Sequence, residues 1–87
     1  MPYFVYMLIT KRKGRLISYV GYTSDLKNRL IKHNNSKGAK FTKGRKWILV
    51  FKKKFKTKSE AMKYEYILKF DRKRRENIKQ KFIKNLS

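Results

Sequence analysis

The chain has 87 residues, with 26 Lys and Arg against five Asp and Glu, a formal net charge of +21, no cysteine, 40% hydrophobic residues and 15% aromatic ones. That length suits a single domain spanning residues 1–87, and a domain so small buries only about 60% of its unfolded surface. Disulfide staples and thiolate metal sites are excluded, the apolar content argues against disorder of the whole chain, and the longest apolar run, residues 3–9, falls well short of the roughly 20 residues of a membrane helix.

Residues 3–10 read as a strand, with Tyr3, Val5, Met7 and Ile9 on one face and Phe4, Tyr6 and Leu8 on the other. Both faces are apolar, which predicts a central strand covered on both sides. Lys11-Arg12-Lys13-Gly14 reads as a turn into a second strand over residues 15–22, making a β-hairpin. Thr23-Ser24-Asp25 supplies N-cap residue types for a helix to about Asn34, with Leu26, Leu30 and His33 near one stripe and Arg29 beside them. The basic stretch up to Lys46, with two glycines, is expected to be a mobile loop. Trp47 begins a third strand that continues to about Phe55. Thr57 and Glu60 have capping-box spacing for a helix to about Phe70. Asp71 caps a last helix that ends near Leu86, with Ile78, Phe82 and Leu86 inward and residues 85–87 expected to fray. The order is β-β-α-β-α-α, an α+β fold without repeats or linkers.

A field of +21 opposes compaction by self-repulsion. Neutralising phosphates releases counterions and makes such a charge useful, so nucleic acid is the expected partner, ahead of an anionic membrane surface or a merely solvated face. Ten Lys or Arg fall in residues 37–58 and eight in residues 69–84, runs long enough to follow a phosphate backbone. The first lysine, Lys11, follows the apolar run rather than preceding it. That is the wrong order for a signal peptide, and a cytoplasmic location is expected.

Three groups of residues could carry chemistry. With a four-residue loop, Thr10 pairs with Arg15 and Tyr6 falls directly opposite Tyr19, their Cβ atoms about 5 Å apart on one face. They form either an ordinary cross-strand aromatic pair or two phenols converging on a site; a slip of one residue would separate them. Arg29 and His33, four apart, share a helical face. They are either a surface cation and a structural histidine, or a guanidinium that grips phosphate beside an imidazole that moves a proton. Glu65 sits on or beside an inward stripe with Ala61, Met62, Tyr64 and Leu68. It either pairs with Lys69 in the favourable Glu-first order or holds a divalent cation completed by water and phosphate. Asp25, Glu60 and Asp71 fit helix starts and Glu76 a surface position. Too few carboxylates remain for a two-metal site, so phosphodiester cleavage here would use one metal. There is no zinc-ligand set, no phosphate-cradling glycine loop and no aromatic-rich basic sheet motif.

Together, Phe4-Val5-Tyr6, Tyr19-Val20-Gly21, Arg29 with His33, and Glu65 resemble the ordered motifs of the GIY-YIG nuclease superfamily, most closely its small standalone UPF0213 (YhbQ-like) type. Residues 21–26 leading into Arg29, residues 37–42, and Glu60-Ala61-Met62 leading to Glu65-Tyr66 extend the likeness from Tyr3 to about Phe82. Phe4 stands where the family's first motif has glycine. The resemblance implies a three-stranded antiparallel sheet flanked by helices. It implies an endonuclease that hydrolyses DNA phosphodiester bonds with one Mg²⁺ or Mn²⁺, structure-selective and suited to repair or recombination. Tyr6 then matches the general base for the attacking water, Tyr19 the second-motif tyrosine, Arg29 the arginine that steadies the phosphate, His33 a proton relay and Glu65 the metal ligand. Asn77 stands where some members carry a site asparagine. A free phenol has a pKa near 10, so Tyr6 as base is expected to be held down by Arg29, His33, the metal and the basic field. The alternative is a non-catalytic, basic nucleic-acid-binding protein on the same fold.

Overall fold

The computed structural model describes residues 1–35, 42 and 44–86. The apolar strand β1 (Tyr3–Arg12) lies between β2 (Arg15–Thr23) and β3 (Ile48–Phe55) in an antiparallel sheet of order β2-β1-β3. Its residues from Val5 to Thr10 are all buried, because helices cover both faces. Val5, Met7 and Ile9 form one core with Ala61 and Leu68 of α2 (Lys58–Phe70), joined by Ile78 and Phe82 of α3 (Arg72–Leu86). Tyr6 and Leu8 form the other with Trp47, and Leu26 and Leu30 of α1 (Leu26–Asn34) pack against it. The fold is α+β in the predicted order, three antiparallel strands and three helices.

The hairpin register differs from the expected one. Arg12 pairs with Arg15, so the loop is only Lys13-Gly14; Tyr6 faces Gly21 and Tyr19 faces Leu8. Both loop residues have positive φ, 50° and 78°, the two-residue type I′ geometry whose twist matches that of the flanking strands. The chain therefore pairs two residues further into the turn than a four-residue loop would allow. A shift of two keeps every side chain on its own face. Tyr6 and Tyr19 thus share a face as diagonal neighbours, not as a directly opposed pair.

On the other side of β1, Met7 pairs with Phe51 and Leu8 with Leu49, leaving Val50 as an extra residue. This β-bulge lets Val50 and Phe51 both pack towards α2 and α3 while Leu49 faces α1. Regular β3 begins at Ile48, one residue after Trp47. The Trp47 N–H and carbonyl are instead held by the Asn34 side chain, at 2.6 and 3.2 Å.

The caps fall as expected. Asp25 accepts from the Asn28 N–H at 3.2 Å, Thr57 Oγ1 accepts from the Glu60 N–H at 3.2 Å, and Asp71 accepts from the Arg74 N–H at 3.0 Å. The backbone of α3 stays helical through Leu86, further than the fraying expected from residue 85. The loop expected between α1 and β3, and the motif over residues 37–42, fall largely on residues 36–41 and 43, outside the described residues. Among the described residues no helix is long and apolar enough to cross a membrane.

Candidate active site

The site is organised by a close approach of two strands. Tyr6 leans over Gly21, where an added Cβ would lie 2.6 Å from the phenol oxygen and 2.8 Å from Cζ. Glycine leaves the space that the phenol occupies. The Tyr6 hydroxyl then lies 2.8 Å from His33 Nε2, and His33 Nδ1 lies 2.8 Å from Thr42 Oγ1. Tyr6, His33 and Thr42 are essentially inaccessible to solvent. Trp47 Nε1–H donates to the Thr42 carbonyl at 3.0 Å, which fixes the threonine from the β3 side. A neutral imidazole offers one donor and one acceptor. With the hydrogen on Nδ1, His33 donates to Thr42 and its Nε2 lone pair accepts from Tyr6.

Around this buried chain lies an open cleft of about 390 Å³, lined by Tyr6, Tyr19, Gly21, Tyr22, Thr23, Arg29 and Glu65. Tyr19 packs its ring 5.0 Å from His33 and 6.4 Å from Tyr6, centroid to centroid. Arg29 reaches the cleft from α1, one turn before His33. Its Nε is buried and, among the described residues, has no hydrogen-bond partner. Glu65 comes from α2 with a side chain 19% exposed, and its Oε1 lies 3.8 Å from Lys69 Nζ. Glu65 thus makes the expected ion pair with Lys69 and also lines the cleft.

Electrostatics correct one expectation. Burial pushes the Tyr6 phenol up to about 12; Arg29 pulls it back, while Tyr19 and Glu65 add to the rise. Arg29 acts in the expected sense, but loss of solvent outweighs it, so Tyr6 is a neutral phenol at pH 7. Its hydrogen bond to the phenol outweighs burial and holds Arg29 above its ordinary value, firmly charged. His33 is pushed down, by burial first and Arg29 second, and is a neutral imidazole at pH 7.

The five expected side chains thus converge: Tyr6, Tyr19, Arg29 and Glu65 in the cleft wall, His33 buried against Tyr6. Asn77 does not join them; it is exposed on α3 and does not line the cleft. Thr42 and Trp47 join the site although the sequence does not mark them as site residues. Thr42 lies in a basic, aperiodic stretch, and its only sequence signal was its place in the motif over residues 37–42.

A divalent ion would find one carboxylate in the cleft lining, that of Glu65, and no three of His, Cys, Asp and Glu gather among the described residues. One carboxylate beside open space suits Mg²⁺ or Mn²⁺, which keep several waters and take phosphate oxygens. The charged Arg29, with a donor left over, suits the same phosphate. The residues present fit a one-metal phosphodiester site.

Among known families, the model for the GIY-YIG catalytic domain matches residues 2–79. A UPF0213 protein of Staphylococcus saprophyticus is 49% identical over 65 residues, covering 74% of this chain and 78% of that protein. One from Staphylococcus epidermidis is 48% identical over 68 residues, covering 77% and 79%. The solution NMR structure of a UPF0213 protein from Bacillus halodurans shares 38% identity with a TM-score of 0.50, covering 92% of this chain and 84% of that one.

Proposed function

The chain belongs to the GIY-YIG nuclease superfamily, and from that premise we propose that it is an endonuclease that hydrolyses DNA phosphodiester bonds with one divalent ion, working in the cytoplasm. The observation that carries this reading is the convergence of two phenols, a guanidinium with an unused donor, and a carboxylate on one cleft backed by a buried histidine. The +21 charge supplies affinity for the phosphate backbone.

The contact between Tyr6 and His33 shapes the mechanism. With its oxygen 2.8 Å from His33 Nε2 and burial disfavouring its ionised form, the phenol acts as a relay. As a water oxygen bonds to phosphorus, its proton passes to the Tyr6 oxygen and the Tyr6 proton passes to His33 Nε2. The bond from phosphorus to the leaving oxygen breaks, and that oxygen departs with the electron pair. After product leaves, the proton returns through Tyr6 to solvent. Thr42 accepts from His33 Nδ1–H and so keeps the Nε2 lone pair on Tyr6. Tyr19 packs against both rings and holds them. Arg29 grips the phosphate and offsets charge on its oxygens. Glu65 would hold a Mg²⁺ or Mn²⁺ ion, which supplies Lewis-acid stabilisation of the phosphate and leaving oxygen.

The test is nicking of supercoiled plasmid with Mg²⁺, Mn²⁺ or EDTA, wild type beside Glu65→Ala. Nicking that requires metal and is lost in the variant is expected. Retained DNA binding without cutting by either protein, on plasmid and on branched DNA alike, would favour the binding-only reading on this fold.

A further inference from the structure

Helix α2 has two unlike faces. Ala61 and Leu68 are buried against the sheet, whereas Met62, Tyr66, Ile67 and Phe70 stand 46%, 65%, 51% and 69% exposed. Tyr66 and Phe70, one turn apart, hold their rings 4.8 Å apart at 49°. Lys63 shares a shallow depression with Met62, Tyr66 and Ile67. A small domain with a modest core leaves these rings in water, and a contiguous apolar patch of that kind marks a contact surface.

Charge decides what can cover it. A second copy would bring a further +21 against this one, and the chain's five acids cannot offset that. The occupant must be a polyanion that also presents flat apolar faces. Unpaired nucleobases on a phosphate backbone have both features, and stacking on aromatic side chains is indifferent to sequence because every base has a π-face. In a duplex those faces are already stacked on one another. Glu65, in the cleft wall, immediately precedes Tyr66 on the same helix, with Cα atoms about 3.8 Å apart. The two side chains point about 100° apart around the helix axis, so a strand leaving the cleft would bend round α2 to reach the ring.

We infer that Tyr66 and Phe70 form a stacking platform for unpaired bases beside the phosphate held in the Tyr6–Glu65 cleft. The substrate class is then nucleic acid with a single-stranded segment at the cut site. The inference rests on the reading of the cleft as a nucleic-acid site, and binding tests it without cleavage.

The experiment uses the full chain in EDTA, with an oligothymidine carrying one 2-aminopurine and a duplex of equal length. Tyr66→Ala and Phe70→Ala are each expected to weaken single-strand binding about tenfold and duplex binding less than about twofold. They should also abolish the stacking quench of 2-aminopurine, which Tyr66→Trp should retain. Both substitutions are at exposed positions, and circular dichroism checks the fold of each variant. Unchanged single-strand affinity, or equal losses on both substrates, overturns the platform and leaves the proposed function standing. Preferential, ring-dependent binding to phosphatidylserine vesicles, or a dimer dispersed by Phe70→Ala, overturns it in favour of another occupant. Failure to bind any nucleic acid overturns both readings.

Discussion

At the scale of residues, the pair formed by Tyr6 and His33 carries two opposite displacements that act at the two ends of the pH range. His33 is pushed down in the fold by burial and by Arg29. Below pH about 6.5 the unfolded chain takes up a proton that the folded chain refuses. Stability is full above that value and falls as pH drops through it. Tyr6 is raised from 10.0 to about 12, chiefly by burial. Above pH 10 the unfolded chain sheds a proton that the folded chain keeps, so stability present below pH 10 is lost as pH rises towards 12. Urea midpoints should therefore form a plateau that falls at both ends. His33→Gln should flatten the decline between about pH 7 and 5.5, and Tyr6→Phe the alkaline one. As His33 is the chain's sole histidine, an acid decline that persists in His33→Gln would place its origin outside the relay. The same residues mark how far the sequence could be read. The spacing of Arg29 and His33 foretold a shared helical face. It could not foretell that Gly21 gives up its side-chain space to Tyr6, or that Thr42 closes the chain of hydrogen bonds, because both are contacts between segments without a common period.

At the scale of elements, the hairpin shows what patterning does and does not specify. Alternation of side-chain direction along β1 and β2 sets which face each side chain takes. A register moved by two satisfies that alternation equally well. The choice between a four-residue and a two-residue loop was made by Lys13 and Gly14, whose φ values of 50° and 78° define a type I′ turn. Both faces of β1 and the order of all six elements were legible because they depend on period and capping alone. The bulge at Val50 was not, because an unbroken apolar run from Trp47 to Phe51 fits a regular strand as well as a bulged one. The turn itself is suboptimal. Lysine at positive φ carries a steric penalty that asparagine largely escapes, and Asn-Gly is the favoured type I′ pair. Lys13→Asn should stabilise the fold by roughly 0.5–1 kcal/mol, read as a higher urea midpoint at an unchanged m-value. A neutral or destabilising result would contradict the two-residue turn, and with it the diagonal placement of Tyr6 and Tyr19.

At the scale of the whole molecule, charge sets stability and binding against each other. Glu65 and Glu76 each pair with a cation on their own helix, and Asp71 pairs with Arg74 of the helix it caps, but five acids cannot neutralise 26 basic residues. The molecule measures 37 × 28 × 22 Å, comparable to the Debye length of about 30 Å at 0.01 M salt and far larger than the roughly 8 Å at 0.15 M. In dilute buffer every cation repels every other across the fold; near physiological salt only close neighbours do. Raising NaCl from 0.01 to 0.15 M should therefore raise the melting temperature. A gain of about 1 kcal/mol would appear as roughly 4–8 °C in a domain of this size. Over the same range duplex affinity should fall, with a log–log slope of about −0.9 for each phosphate neutralised. The two curves must have opposite signs if one set of cations opposes folding and drives binding. A melting temperature indifferent to salt would mean that the repulsion is already relieved within the fold, and a binding curve equally flat would mean that the basic surface does not meet phosphates at all.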